Sequence, residues 1–420
     1  MKTIYLLLIV IFPATIWAQV ELNLEDCLLA AVKNHPRAGD RDLLDNISAN
    51  NQLNSSAMWK PVVDLNGQMS YQSDVIDLDI DLPIPDVSFP SAPKDQYKLY
   101  VEFRQTIYEG GKIKQQKEME KISGETSVLK LDSEIDRVKS EVIELYFSIM
   151  SMQEGLKIHS LLLETLQEKK SIINSGIKNG LLMKSDLSLL EIEILTIEQE
   201  ISKLNFQNKA LLSVLSTKCN MEIAESDLFS PSQYSFSRNE IDRKEFQVFD
   251  NQKQFLDATV LIKDKSRLPV LFAFGQLGYG NPALNMLSDE FDTYYYMGVG
   301  LKWNIWDWNV TKREKQNLVH QSGLIDNQSL EFKNVISEAL TRQESIIESR
   351  EENIENLKLL LQKRQELVEI YESQMREGTI KAIDYLKVVN QEKIARINLS
   401  NEEIALQKSL ANYHNISGNL

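Results

Sequence analysis

Cysteine and histidine are scarce in this sequence. Its 420 residues include two cysteines and four histidines: Cys27, Cys219, His35, His159, His320 and His414. Two cysteines are too few for a disulfide framework, and the sequence leaves open whether they pair. The histidines are scattered, without Ser/His/Asp, Cys/His or metal-ligand spacing. We therefore expect no catalytic residues, no metal site and no cofactor, and we predict that the protein is not an enzyme.

Long apolar runs are also missing beyond the N-terminus. The chain opens with Met1-Lys2-Thr3, followed by an apolar stretch from Ile4 to Trp17 and the small residue Ala18. This pattern predicts a cleaved secretory signal peptide over residues 1–18. The alternative, a membrane anchor, needs roughly 20 apolar residues. No uninterrupted apolar span of that length follows, so any membrane crossing has to use strands of a closed barrel.

Positive charge is outweighed by negative charge, since the formal net charge is −15. Nucleic acids select basic surfaces, so this balance argues against a nucleic-acid partner. The hydrophobic fraction of 43% excludes a disordered chain. The length alone allows two or three domains.

The sequence contains an internal repeat, that is, two copies of one structural unit. The segment from Ile107 to Lys112 aligns with the segment from Ile305 to Val310 at an offset of 198 residues. The same offset relates three later pairs: Gly180 with Gly378, Asp186 with Asp384, and Leu212 with Leu410. An upstream strand matches at an offset of 208, Pro61 with Pro269. We therefore predict a first repeat at 19–220, a linker or equatorial segment at 221–245 and a second repeat at 246–420.

Each repeat contains a long helix with a heptad pattern. In the first repeat the apolar seam consists of Val128, Leu131, Ile135, Val138, Val142, Leu145, Ile149, Met152, Leu156, His159, Leu163 and Leu166. The second seam keeps this register but is interrupted by Gln343, Arg350 and Arg364. Lys112 to Lys178 would form a rod of about 100 Å if unbroken. With opening helices at 23–57 and 240–266 and return helices at 183–218 and 381–416, the pattern predicts paired antiparallel coiled coils.

Four segments alternate between apolar and polar residues. From Tyr97 to Ile107 the odd-numbered side chains are mostly apolar and the even-numbered ones mostly polar, and Tyr295 to Ile305 follows the same pattern. A first strand carries Val63, Leu65, Met69 and Tyr71, and a third is marked by Val270, Phe272 and Phe274. Each segment is near the length of a tilted transmembrane strand.

Two interpretations of these strands remain. They could form an amphipathic sheet that covers a soluble core, or part of a membrane barrel. The helices already bury their apolar faces in coiled coils, which favours the barrel. Four strands cannot close one, because about eight is the practical minimum. The sequence therefore predicts a mainly α protein with four membrane β-strands per chain that oligomerises.

The whole sequence after the signal resembles the TolC-like outer-membrane factors. The resemblance rests on Leu24-Glu25-Asp26-Cys27-Leu28, Asn34-His35-Pro36, Tyr108-Glu109-Gly110-Gly111, Trp306-Asp307, Gly180…Asp186-Leu187 and Gly378…Asp384-Tyr385-Leu386. It implies a homotrimer in the outer membrane of a Gram-negative bacterium, with a barrel of about 12 strands above a periplasmic helical tunnel. It also implies outer-membrane lipid, a periplasmic adaptor (membrane fusion) protein and an inner-membrane transporter as partners.

The resemblance further implies candidate gate residues. Gly180 and Gly378 would form the helix-hairpin tips at which the adaptor docks, with Asp186 and Asp384 just inside them. Three copies of Asp384 would form a ring that favours cations; the alternative is that each aspartate complements its helix dipole. The family's arginine lock is replaced by Ile380, an acidic constriction position is Lys387, and Met375 stands in place of an aromatic gate residue. Arg376 or Lys387 could pair with either aspartate instead.

The expected function is that of a passive exit duct. It would belong to a tripartite efflux pump or a type I secretion system, and the exported substrate stays open. The alternative is a periplasmic coiled-coil adaptor or structural protein outside the membrane. A loop from Gln72 to Gln96 holds six aspartates but lacks the Gly and Glu positions of a calcium loop, which favours a solvated extracellular loop over a Ca²⁺ site.

Overall fold

The computed structural model describes residues 21–75, 93–180, 182–231, 234–238, 240–286 and 288–420. The predicted signal peptide, residues 1–18, lies outside these described residues. In chain order the elements are β1 Glu21–Leu22, α1 Leu24–Lys33, α2 Asp40–Ala57, β2 Val62–Tyr71, β3 Asp95–Tyr108, α3 Lys112–Asp136, α4 Val138–Lys178, α5 Lys184–Cys219, β4 Leu228–Phe229, α6 Lys244–Lys265, β5 Val270–Asn281, β6 Asp292–Lys302, α7 Val310–Arg376 and α8 Ala382–Ser417.

The long helices begin and end at equivalent residues in the two repeats. The start of α3 at Lys112 and the end of α4 at Lys178 lie 198 residues before the two ends of α7. Helix α5 precedes α8 by the same offset at both ends, and the starts of β2 and β5 differ by 208 residues. Both offsets are those found in the sequence. The domain boundaries drawn at 19–220, 221–245 and 246–420 stay predictions.

The opening helix predicted at 23–57 is two helices, α1 and α2. They are separated by residues 34–39, which contain Pro36. Proline has no amide hydrogen and its ring clashes with the preceding helical turn, so the single predicted helix was wrong at this point. In the second repeat the structure has α6, close to the predicted helix at 240–266.

Packing divides the chain into two compact units. The first contains the described residues between 21 and 38, 134 and 243, and 334 and 420, and the second contains those between 39 and 133 and between 244 and 333. This division cuts across both repeats, because each repeat contributes helices to the first unit and strands to the second.

The first unit has its main core between α1, α4 and α5. Tyr146 and Phe147 of α4 are buried there and pack edge to face, with ring centroids 5.5 Å apart. The Tyr146 hydroxyl lies within hydrogen-bond distance of two backbone carbonyls, Leu22 at 2.8 Å and Ser230 at 2.6 Å. These carbonyls flank the short parallel pair β1 and β4. The predicted linker segment is therefore joined to the start of the described chain.

The first heptad seam is confirmed, because each of its twelve predicted residues is buried or half-buried. Its helix, however, is not continuous. The regular pattern breaks at Arg137, whose amide donates to the Glu134 carbonyl at 3.3 Å. A bond between residues three apart is the tighter 3₁₀ spacing. The second repeat has no such break, since α7 is one helix of 67 residues.

The polar interruptions of the second seam all find partners on α8. The Gln343 side-chain amide donates to the Ser409 carbonyl at 3.0 Å. The Arg350 guanidinium donates to the Glu402 carboxylate, also at 3.0 Å, and Arg364 donates to the Gln391 side chain. Polar groups at seam positions favour one helix register, so these contacts favour the observed antiparallel alignment of α7 and α8.

The second unit is built around a four-stranded antiparallel sheet in the order β2, β3, β5, β6. Beside the strands it contains α2, α6, most of α3 and the N-terminal part of α7. Within the described ranges, no helix is both long enough and apolar enough to span a bilayer.

Candidate functional sites: the sheet face and the helix-hairpin tips

The register of the sheet places apolar side chains of all four strands on one face. Leu65 faces Val101, Val101 faces Leu277, and Leu277 faces Tyr295. The neighbouring rows continue the same face with Val63, Phe103, Met297, Leu99, Tyr279, Met69, Tyr97, Val299 and Leu301. We call this set of side chains the apolar sheet face. All four strands therefore contribute apolar side chains to one continuous face of the sheet.

The apolar sheet face is exposed. The exposed fractions of its large residues run from 38% at Tyr97 and 39% at Val101 and Phe103 to 78% at Met69. An amphipathic sheet that covered a core within the chain would bury these side chains. An exposed apolar patch of this extent marks contact with a partner or a membrane.

The opposite face combines polar residues with glycines that lie under aromatic rings. Asp64, Glu102 and Gln276 occupy one row across β2, β3 and β5. Further along, Phe274 pairs with Gly298, Phe272 with Gly300 and Tyr294 with Gly278. In each pair the ring fills the space in which a Cβ atom of the glycine would stand. An aromatic ring over a cross-strand glycine compensates for the missing side chain.

This arrangement changes the interpretation of the third strand. The sequence marked it by Val270, Phe272 and Phe274, but these side chains lie on the glycine-bearing face, since Phe274 faces Arg104. The contribution of β5 to the apolar sheet face comes from Leu277 and Tyr279. Hydrophobicity alone assigned these residues to the wrong face of the sheet, because large aromatic side chains also pack over cross-strand glycines.

The sheet ends in two unpaired edges within the described part of the chain. β2 pairs only with β3, and β6 pairs only with β5. Both edges are long, with 10 residues in β2 and 11 in β6. A row of free backbone donors and acceptors of this length is a template for pairing with another strand.

The aspartate-rich loop is only partly described. Residues 76–92, including four of its six aspartates, lie outside the described residues. Of the others, Asp74 accepts a hydrogen bond from the Val75 amide at 3.0 Å, and Asp95 begins β3. The solvated-loop interpretation stays a prediction. Among the residues the structure does describe, no group of three His, Cys, Asp or Glu side chains is placed to hold a metal ion.

Each strand-to-helix junction contains a carboxylate cap that the sequence reasoning missed. Glu109 is buried, and its Oε2 accepts hydrogen bonds from the backbone amides of Lys112 and Ile113 at the start of α3. At the equivalent position Asp307 accepts from the Thr311 amide at 3.0 Å. The Thr311 hydroxyl and amide hold the pKa of the Asp307 carboxyl below its ordinary value. The shared acidic residue at the 198-residue offset was the available signal.

The first helix-hairpin tip turns at Gly180, as predicted. Its φ is +72°, a left-handed conformation that glycine adopts without strain, and its amide donates to the Ile177 carbonyl at 3.1 Å. After the tip, Asp186 is buried, with an exposed fraction of 8%. Its Oδ2 accepts a hydrogen bond from the Met183 amide at 2.8 Å. Asp186 therefore caps the N-terminus of its own helix, α5.

The second tip turns at Gly378, which has the same φ of +72°. The Thr379 amide donates to the Gln374 carbonyl at 3.0 Å across the turn. Asp384 is exposed, and although its amide donates to the Lys381 carbonyl at 3.1 Å, its carboxylate has no hydrogen-bond or ion-pair partner among the described residues. The buried Tyr385 follows it, and burial and the nearby Glu372 raise the pKa of its phenol to about 12.

The remaining gate candidates lie around the second tip. Arg376 is exposed and its guanidinium is 3.4 Å from the Glu372 carboxylate of its own helix. Lys387 is exposed on α8. Met375 is buried and packs with Tyr385 and Val389, with Ile380 partly buried beside them. Within one chain neither Asp186 nor Asp384 is paired with Arg376 or Lys387. The gate roles stay predictions.

The fold matches solved outer-membrane channels. No family model and no curated protein matches the sequence. Among solved structures, one of CusC aligns with a TM-score of 0.70 at 11% identity, covering 95% of this chain and 92% of that one. The Campylobacter jejuni CmeC outer membrane channel aligns with a TM-score of 0.65 at 13% identity over 94% and 85% of the two chains. The open Neisseria gonorrhoeae MtrE outer membrane channel aligns with a TM-score of 0.67 at 13% identity over 94% and 89%.

Because each alignment covers at least 94% of this chain, it includes most of both repeats. The protein therefore has the fold of outer-membrane channel proteins. The predicted fold class, mainly helical with four strands in each chain, is confirmed, as is the resemblance to TolC-like channels at the level of the fold.

Proposed function

We propose that this protein is the outer-membrane exit duct of an export system in a Gram-negative bacterium. The observation that carries the proposal is the apolar sheet face, which runs across four strands and is covered by nothing in the described chain. Lipid covers such a face in outer-membrane barrels, where apolar and polar residues alternate between lipid and lumen. The polar row of Asp64, Glu102 and Gln276 would then line the lumen.

The two free sheet edges support an oligomer. Four strands are too few to close a barrel, and the edges at β2 and β6 would pair between neighbouring chains. We propose a homotrimer, as the TolC-like resemblance implies, with three four-stranded sheets in one barrel. An adaptor, the alternative function, would present one helical hairpin between compact β domains. Two hairpins and one open sheet favour the duct.

The helical hairpins would form the periplasmic tunnel. Their tips at Gly180 and Gly378 are proposed to meet a periplasmic adaptor and an inner-membrane transporter of a tripartite efflux pump or type I secretion system. Three exposed copies of Asp384 are proposed to form an acidic ring at the tunnel entrance. Such a ring favours cations. Transport would be passive and not enzymatic, with energy supplied by the transporter.

A matched pair of substitutions tests membrane insertion. Leu277 and Gln276 are neighbours in β5 that point to opposite faces. Arginine on the lipid side costs about 2 to 4 kcal/mol near the bilayer midplane, whereas the lumen side tolerates it. We expect Leu277→Arg to abolish or strongly reduce the heat-modifiable oligomer in outer-membrane fractions, and Gln276→Arg to leave it intact. Equal behaviour of the two variants, or a wild-type chain that is soluble and monomeric in the periplasm, would contradict the proposal.

The acidic ring is tested by conductance in planar bilayers. Asp384→Asn should reduce the preference of the channel for cations, because it removes one charge from every chain of the ring. Asp186→Asn is the matched control, since Asp186 is buried against its own helix. If the two variants conduct with the same ion preference as the wild type, Asp384 is not part of a constriction.

A further inference from the structure

The two cysteines of the chain lie side by side in the core of the first unit. Cys27 is in α1 and Cys219 is the last residue of α5, and both have an exposed fraction of 0%. The Cys219 thiol donates a hydrogen bond to the Cys27 backbone carbonyl at 3.4 Å, and both side chains belong to the same buried apolar cluster. The Asn34 side-chain amide donates to the Cys219 carbonyl at 2.7 Å, which holds the end of α5 against α1.

Packing alone does not require sulfur at the end of α5. The equivalent residue at the end of α8 is Ser417, which is equally buried, with an exposed fraction of 1%. Its hydroxyl donates to the His414 carbonyl at 3.0 Å. A hydroxyl therefore suffices at this position of the second repeat. In the first repeat a thiol occurs instead, and its hydrogen-bond acceptor at 3.4 Å is the backbone carbonyl of Cys27, the only other cysteine of the sequence.

We propose that Cys27 and Cys219 form a disulfide bond in the mature protein. This inference rests on the proposed function, because disulfides persist in chains exported to an oxidising compartment and not in a reducing cytosol. With two cysteines in the chain, only one intramolecular pairing exists. The bond links residues 192 positions apart, joining the first helix after the predicted signal peptide to the far end of α5.

Oxidation has to precede the final packing of α1. In the folded thiol form both cysteine side chains have an exposed fraction of 0%, so an external oxidant cannot reach either sulfur atom. Structural cysteines buried in this way are inert. Before α1 packs, one cysteine thiolate attacks a disulfide of the oxidant and releases one thiol. The second cysteine then attacks the mixed disulfide, which forms the Cys27–Cys219 bond and releases the second thiol. The oxidant is thus reduced by two electrons and takes up both protons.

The first experiment combines fractionation with thiol trapping. Cells that express the full chain are lysed in denaturant containing N-ethylmaleimide, and parallel samples are reduced before labelling. Intact mass then counts the labels on the chain from each cell fraction. We expect an envelope-associated chain without label before reduction and with a label on each cysteine after it.

The fraction in which the chain occurs separates the two proposals. An envelope-associated chain labelled at both cysteines without reduction overturns the disulfide and leaves the exit-duct function standing. A cytosolic chain labelled at both cysteines overturns both. An envelope-associated chain that is unlabelled until reduced, with Cys27→Ser and Cys219→Ser each exposing the remaining thiol to label, supports both.

Thermal unfolding provides a second readout. We expect a membrane-permeant phosphine reductant, applied during unfolding and refolding, to lower the unfolding temperature of the wild-type chain in detergent. The double variant Cys27→Ala/Cys219→Ala is the matched control, because it packs without thiols and should show no response to the reductant. If the wild type also fails to respond, the disulfide is absent and the proposal is wrong.

Discussion

Asp186 and Asp384 occupy the same position in the two repeats, but only the Asp186 carboxylate accepts a hydrogen bond at the start of its own helix. Its carboxylate accepts the Met183 amide at 2.8 Å and is buried. The Asp384 carboxylate, 198 residues later, is exposed and has no hydrogen-bond or ion-pair partner among the described residues. One repeated carboxylate thus stabilises a hairpin, and the other is left accessible at a surface.

The first prediction concerns local stability at the first tip. Asp186→Ala removes an N-cap hydrogen bond, which costs about 1 kcal/mol and corresponds to roughly fivefold more frequent local opening. We expect amide hydrogen exchange in a peptide covering 183–190 to accelerate by about that factor. Asp384→Ala is the matched variant in the second repeat and should leave exchange at 381–388 unchanged. Equal acceleration in both peptides would show that Asp384 also caps its helix.

The heptad seams and strand alternation were readable from the sequence because each depends on residue type and period alone. The difference between the two aspartates was not readable, since the spacing is identical and only side-chain orientation differs. Similarly, the assignment of Phe272 and Phe274 to the glycine-bearing face depends on register across strands. Register is set by pairing between segments far apart in the chain, and no local pattern contains it.

The left-handed backbone at the strand-to-helix junctions was also not predicted from the sequence. Gly110 and Gly111 have φ values of +71° and +83°, and the equivalent residues, Trp308 and Asn309, have φ values of +53° and +61°. The sequence of the second junction does not indicate a left-handed turn, since tryptophan rarely adopts positive φ. The left-handed backbone at Gly110 and Gly111 shows that this conformation is shared by the two repeats.

The second prediction uses these glycines. An added Cβ at Gly111 would meet no atom within 4 Å, so Gly111→Ala tests backbone strain alone. We expect this substitution to lower the free energy of unfolding by about 1 kcal/mol, because left-handed backbone disfavours residues with a Cβ. Asn309→Gly should instead stabilise the second junction by a few tenths of a kcal/mol. Unfolding temperatures in detergent, followed by circular dichroism, measure both effects.

The control for this pair is Gly323→Ala in α7. As at Gly111, a Cβ atom added at Gly323 would meet no atom within 4 Å, and Gly323 lies at an exposed helical position. The same chemical change should therefore stabilise the protein by about 0.5 to 1 kcal/mol. Opposite signs at Gly111 and Gly323 would establish backbone conformation as the cause. A stabilising Gly111→Ala would contradict the left-handed junction.

The third prediction concerns the polar seam between α7 and α8. Arg350 donates to Glu402 at 3.0 Å, and both side chains are largely buried, with exposed fractions of 30% and 21%. Arg350→Met leaves the Glu402 carboxylate without its partner, so we expect a loss of about 1 to 3 kcal/mol. The double variant Arg350→Met/Glu402→Leu should lose less than the sum of the two single variants, because an apolar pair replaces the ion pair.

A surface ion pair of the same helix serves as the control for this cycle. Lys358 lies 2.9 Å from Glu355, with exposed fractions of 51% and 74%. Solvent screens such pairs, so Lys358→Met should change stability by less than about 0.5 kcal/mol. If Arg350→Met is equally mild, the seam contact is as well screened as a surface pair and does not set the alignment.

The fourth prediction is a pH dependence caused by His159. Its imidazole is buried in the seam of α4, with Nε2 2.8 Å from the Glu200 carboxylate of α5. Burial, followed by the positive charge of Lys393, lowers the pKa of His159 below its ordinary value of 6.5, although Glu200 acts in the opposite direction. The Glu200 carboxylate is half exposed, so solvent weakens its attraction.

The sign of the effect follows from this lowered pKa. Well above pH 6.5 the imidazole is neutral in both the folded and the unfolded chain. As the pH falls from there through the folded pKa, the unfolded chain takes up the proton more readily, and stability is lost. We expect the unfolding temperature of the wild type to fall over this range with a component that His159→Gln removes. His320→Gln, an exposed substitution in α7, should leave the wild-type slope unchanged. An unchanged slope in His159→Gln would mean that other groups carry the pH dependence.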